Sequence, residues 1–183
     1  MNKLIAIVGM CGTGKSIASK FFKDRGYEII HFGSVTFDLL NEEKLSITPE
    51  NERMMREKIR REYGMAAFAK LLLPKIEKTL EKSNVVLDGL YSWEEYKVLE
   101  EKFANINLIA IITDKYKRYE RLSKRDIRPF KHEDAVNRDI TEIENLSKGG
   151  PIAYADFYAH NNGDVDALKE RLEELKNIIE EEE

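Results

Sequence analysis

Short unbroken apolar runs alternate along this chain with longer stretches in which apolar positions recur every three or four residues. The first run is Leu4-Ile5-Ala6-Ile7-Val8, and four more follow at 28–32, 84–87, 106–112 and 157–159. Runs without polar interruption, such as Val85-Val86-Leu87 and Leu108-Ile109-Ala110-Ile111-Ile112, suit central parallel strands covered by helices on both faces. The intervening periodicity predicts helices over 15–24, 35–43, 49–62, 65–82, 92–102, 115–125, 131–146 and from 165 to the C-terminus. Thr48-Pro49-Glu50 and Ser92 with Glu95 carry helix-start chemistry, the latter at capping-box spacing. Val165, Leu168, Leu172, Leu175 and Ile179 form a core-facing stripe on the last helix. Alternation of this kind implies an α/β fold with a doubly wound parallel sheet.

The first strand runs directly into Gly9-Met10-Cys11-Gly12-Thr13-Gly14-Lys15-Ser16, a G-x-x-x-x-G-K-S loop that opens a helix. Glycines let the backbone curl around an anion with consecutive N–H groups pointing inward, and the helix adds its positive end. Lys15 reaches the β- and γ-phosphates in such a loop, and Ser16 supplies a hydroxyl to a Mg²⁺ shared with them. A nucleoside triphosphate is therefore the expected ligand. The plain alternative is a glycine-rich turn that binds nothing.

Length and charge narrow the setting. With 183 residues, one core carrying a small insertion fits better than two domains, so residues 1–183 are read as a single unit. The net charge of −4 argues against a dedicated nucleic-acid or polybasic membrane binder. A single cysteine, Cys11, excludes an intrachain disulfide or a cysteine zinc cluster and points to a reducing cytoplasm. His31, His132 and His160 show no metal-ligand spacing. Leu4 to Met10 is too short, and lacks the cleavage chemistry, for a signal peptide.

Two stretches exceed what a minimal crossover needs: 33–82, after the second strand, and the Arg-rich 118–146, after the fourth. Both leave the carboxyl edge of the sheet, where ligands bind in open α/β folds. Asp88 ends the third strand at that edge, positioned to hold Mg²⁺ through water or to accept a proton from an attacking hydroxyl. Arg118, Arg121, Arg125 and Arg128 recur at three, four and three residues before Pro129. Such arginines can close over the charge that phosphoryl transfer spreads on the moving group. Arg118 reads as solvated surface; Arg121, Arg125 and Arg128 are the catalytic candidates, with Arg138 a further lid residue. Arg53, Arg56 and Arg60 form a second set, in which Arg56 and Arg60 are candidates for an acceptor's phosphate. Interleaved glutamates could instead satisfy them as surface pairs. Asn161-Asn162-Gly163 reads as a turn, with a nucleobase contact as the second option.

Taken in order, the strand, phosphate loop, Asp88-Gly89 strand end, Arg-rich segment and final strand plus helix resemble the nucleoside-monophosphate-kinase-like branch of phosphate-loop kinases. Within that branch the chain is similar to adenylate-kinase-related and dephospho-coenzyme-A-kinase-like proteins. The resemblance implies a P-loop NTPase fold with a five-stranded parallel sheet in three α/β/α layers, an acceptor-binding helical insertion and an Arg-rich lid. It also implies transfer of the ATP γ-phosphoryl group, with Mg²⁺, to a nucleotide or nucleotide-like acceptor. Where dephospho-coenzyme-A kinases place an Asp after the second strand, this chain has Ser34, so Asp38, one helical turn on, or Asp88 could serve instead. Leu90-Tyr91-Ser92 stands where related proteins tend to carry an Arg. A nucleotide-dependent switch acting on a protein partner is the competing function, and it predicts acceptor-independent hydrolysis. No N-K-x-D guanine signature is present: Thr113-Asp114-Lys115 lacks that order.

Overall fold

The computed structural model describes residues 2–127 and 129–181. Its five strands, β1 (Leu4–Val8), β2 (Glu28–His31), β3 (Val85–Asp88), β4 (Ile106–Ile112) and β5 (Phe157–His160), form one parallel sheet in the order β2-β3-β1-β4-β5. The sequence places all five to within a residue or so, because each is an apolar run bounded by polar or glycine residues. β1 lies at the centre and every one of its residues is buried.

The alternating pleat sorts the strands' side chains into two cores. Leu4, Ala6 and Val8 join Val85, Leu87, Leu108 and Ala110 on one face, beneath helices α2 (Ser34–Glu42), α3 (Pro49–Tyr63), α4 (Ala67–Leu80) and α5 (Trp93–Lys102). Ile5 and Ile7 join Val86, Ile109 and Ile111 on the other, beneath α1 (Lys15–Lys23) and the Leu168, Leu172, Leu175 and Ile179 stripe of the C-terminal helix α9 (Val165–Glu181). Helices thus cover both faces, giving the three-layer α/β/α architecture. Among the described residues no helix is long and apolar enough to cross a membrane.

Caps fix where the insertion helices begin. The Thr48 side chain accepts the Asn51 N–H at 3.2 Å, with Pro49 in the first turn, and Ser92 and Glu95 form a reciprocal capping box on α5. After β4 come α6 (Lys115–Ser123), α7 (His132–Glu144) and a short α8 (Gly149–Ala153). The sequence pattern does not show α8, since five residues carry too little periodicity. Its approach to α5 is tight: a Cβ on Gly150 would lie 3.0 Å from the Trp93 Cβ.

Candidate active site

The phosphate loop leaves β1 and curls before α1, with Gly9, Gly12 and Gly14 at φ of +145°, +85° and +99°. Side chains are excluded there by backbone preference and by space. A Cβ would sit 2.5 Å from the Ile111 carbonyl oxygen at Gly9 and 2.4 Å from Asn161 Nδ2 at Gly14. The loop is braced from the ends of β4 and β5: Asn161 Nδ2 donates to the Thr13 carbonyl at 2.7 Å. The Thr113 hydroxyl lies 3.3 and 3.1 Å from the carbonyls of Thr13 and Asn161. In the structure the Asn161 side chain is thus a strut for the loop. Lys15 Nζ donates to the Gly9 and Met10 carbonyls at 2.8 and 3.1 Å. Burial pushes its pKa down to about 8, nearby Lys148 adds to that, and Glu142 opposes it.

In-register pairing of β2 and β3 sets His31 beside Asp88, with Nδ1 3.1 Å from Oδ2. Ser16, His31 and Asp88 line one cavity of about 390 Å³. Ser16 and Asp88 offer oxygen donors of the kind Mg²⁺ takes alongside phosphate and water. Among the described residues no three His, Cys, Asp or Glu side chains converge to hold a metal by themselves.

The arginine series after β4 divides. Arg118, expected at the surface, is buried: its guanidinium makes two bonds to Asp139, at 2.8 and 2.6 Å, and a third to the Cys11 carbonyl at 3.0 Å. Tyr119 Oη donates to Asp139 at 3.0 Å, completing a clamp between α6 and α7. Arg118 is thus a structural cation rather than a solvated one. Arg121 reaches the Thr113 hydroxyl and the Gly163 carbonyl, both at 3.4 Å, on the β5 side of the loop. Arg125 lies beside the loop, its Nη2 3.9 Å from Cys11 Sγ. Arg128 lies outside the described residues.

A second cavity, of about 320 Å³, opens between the sheet edge and the insertion, lined among others by Thr36, Phe37, Arg56, Arg60, Tyr91 and Arg138. Two of its polar atoms are buried without a partner, Thr36 Oγ1 and Arg60 Nε. Orphaned groups of this kind are costly, and here they lie behind the cavity wall. Arg60 packs over the Phe68 ring, 4.9 Å from its centroid. Arg56 pairs with Glu52 at 3.3 Å but stays on the lining. Ser34 sits next to this wall with its hydroxyl buried and unpartnered, whereas Asp38 is exposed on α2 and is not among the lining residues.

Residues 5–145 match the family described as AAA domain. The UPF0200 protein of Sulfurisphaera tokodaii is 35% identical over 181 residues, covering 97% of both chains. The chain belongs to the AAA domain family and to the UPF0200 proteins. Its fold is that of phosphate-loop kinases: it is similar to shikimate kinase from Bacteroides thetaiotaomicron (TM-score 0.61, 13% identity, 96% of this chain and 98% of that one). It is likewise similar to dephospho-CoA kinase from Campylobacter jejuni (TM-score 0.56, 15% identity, 97% of each). Identities of this size carry the fold alone.

Two residues between the loop and the cavity, Glu142 and Lys148, escape the sequence reading, and Arg138, expected as a lid residue, joins them. The Cys11 N–H donates to Glu142 Oε2 at 3.2 Å, Lys148 Nζ donates to the same oxygen at 2.8 Å, and Arg138 Nε donates to Oε1 at 2.9 Å. Lys148 and Glu142 are each 1% exposed. Burial alone would raise the Glu142 pKa, yet Lys148, Arg138 and Lys15 outweigh it and hold the carboxyl below its ordinary value. Glu142 gives no signal of its own, since its i, i+4 spacing from Arg138 is that of any helical ion pair. Only the return of α8 against α5 puts Lys148 inside.

Proposed function

We propose that this protein is an ATP-dependent phosphotransferase that moves the γ-phosphoryl group to a small, phosphate-bearing, nucleotide-like acceptor. One observation carries the reading: the phosphate loop and the arginine-lined cavity are joined directly, since Glu142 bonds the loop's Cys11 N–H while its partner Arg138 lines the cavity. Donor and acceptor sites linked in this way let positioning and fixed charge supply most of the catalysis.

The residues divide the work by chemistry. Backbone N–H groups from Gly9 to Ser16 cradle the donor, and Lys15 neutralises its terminal phosphates. Ser16 and Asp88 would hold Mg²⁺, which would supply charge neutralisation to the donor's phosphates; His31 orients the Asp88 carboxylate. Arg56 and Arg60 take the acceptor's phosphate in forked geometry, within an acceptor-binding segment spanning 33–82. Phe37 and Tyr91 supply apolar wall for a planar body. Arg125, next to the loop at the root of a lid spanning 118–146, adds charge to the transferred group, while Arg121 sits toward the nucleoside end of the donor.

The test is acceptor-dependent ADP release from ATP across nucleoside monophosphates, dephospho-coenzyme A and phosphate-free alcohols. Phosphate-bearing acceptors are expected to stimulate release, and Lys15→Ala to abolish it. Release that no acceptor stimulates and that Lys15→Ala leaves unchanged would overturn the assignment.

A further inference from the structure

The contacts of Glu142 are those a phosphate oxygen would make. Its carboxylate takes a backbone N–H of the phosphate loop together with an ammonium and a guanidinium, a set of charge-assisted donors suited to any small oxyanion. It also lies at the end of the loop where a terminal phosphate belongs: the Lys15 ammonium, which serves the β- and γ-phosphates, rests on the carbonyls of Gly9 and Met10, next to Cys11.

Charge points the same way. Lys15, Arg138 and Lys148 surround Glu142, with Asp88 as the one further carboxylate acting on Lys15, while neighbouring Arg118 is already matched by Asp139. Buried ion pairs add little to stability even when balanced. Three cations gathered on a fully buried carboxylate, one of them the equally buried Lys148, are poorly explained as a staple and well explained as an anion site. It also lies on the line of transfer, since the Lys148 ammonium is 4.6 Å from the centroid of Tyr91, which lines the acceptor cavity beside Arg138.

We propose that Glu142 is an internal stand-in for the terminal phosphate of the donor, and that Lys148 and Arg138 are phosphoryl ligands released to the nucleotide when the carboxylate is displaced. The proposal rests on the donor half of the function proposed above and adds to it a lysine from beyond the lid. Glu142 then acts as a competitor that keeps the cations ordered and is exchanged for substrate.

The test is calorimetric titration of the full chain with a non-hydrolysable ATP analogue and Mg²⁺. Glu142→Gln keeps the side chain's shape but removes its charge, and is expected to bind the analogue about tenfold more tightly while melting at a lower temperature without it. The double variant Glu142→Gln/Lys148→Gln leaves no buried charge of that pair unpaired, so it controls for misfolding. It is expected to bind at least tenfold more weakly than Glu142→Gln alone. Unchanged or weaker binding by Glu142→Gln, or a double variant that binds as tightly as the single one, overturns the proposal and leaves the donor reading standing. Wild-type protein that binds no analogue overturns both.

Discussion

The donor loop and the acceptor cavity are built on opposite principles. The loop is a backbone object: eight consecutive residues, three glycines at positive φ, and N–H groups whose direction follows from the turn itself. The cavity is a side-chain object, assembled from α2, α3, α4, the β3–α5 connection and α7, and none of its groups has meaning until those elements pack. A backbone site tolerates almost no change of residue type at its glycines, while distant side chains such as Asn161 and Thr113 only brace a shape the turn already sets. A side-chain site can be altered one group at a time, and each group can be retuned by neighbours distant in sequence.

The sharpest way to break that contrast is Gly14→Ala. The new Cβ would meet Asn161 Nδ2, the strut of the loop, and the left-handed backbone itself costs a non-glycine residue about 1–2 kcal/mol. Affinity for the triphosphate analogue is expected to fall by about a hundredfold or more, roughly 3 kcal/mol. Calorimetry and a melting curve on the same sample separate lost binding from lost folding. Retained affinity would mean that the loop is not shaped by its glycines.

Arg60 supplies the matching test on the other side. Arg60→Ala is expected to raise the acceptor KM about ten- to 150-fold, as loss of a charged hydrogen bond of roughly 1.5–3 kcal/mol would. Arg60→Lys should recover only part of this, because an ammonium lacks the fork. Donor affinity should stay within about twofold in both variants if the two halves are separable, a difference of roughly 0.4 kcal/mol. A parallel loss of donor affinity would show that the cavity and the loop act as one site.

The same contrast explains what could be read from the sequence. The five strands and the phosphate loop are legible because their signals are local: an apolar run, or a glycine spacing with one backbone meaning. Arg56 and Arg60 are legible as a pair at helical spacing, yet their shared wall with Arg138 is not, since it depends on how α3 and α7 approach one cavity. Arg118 shows the error that follows from periodicity alone. Spacing puts it on a charged face, but Asp139, 21 residues away, turns that face inward. Glu142 and Lys148 have no local signal, because two charged residues in a polar stretch look solvated until α8 folds back.

Glu95 gives the smallest effect and reaches beneath the cavity wall. Its Oε2 accepts the N–H groups of Tyr91 and Ser92 at 2.9 and 3.1 Å, while Oε1 is buried without a partner. Burial pushes its pKa up to about 7, against the pull of those N–H groups and of Arg60, and neighbouring Glu94 adds to the rise. Between about 4.5, the ordinary value, and 7 the folded chain therefore holds a proton that the unfolded chain releases. Stability from this group is complete below the lower value and declines as pH rises toward the upper one, with a slope of at most about 1.4 kcal/mol per pH unit. Glu95→Gln still offers an oxygen to the two N–H groups and removes the titration, so the difference between its urea midpoints and those of the wild type should shrink toward low pH and grow toward neutrality. Arg60→Ala withdraws the nearest opposing cation and should carry the wild-type decline to higher pH. If Arg60→Ala leaves the profile unmoved, Glu95 is uncoupled from the acceptor cavity, and the side-chain site is more compartmented than its packing implies.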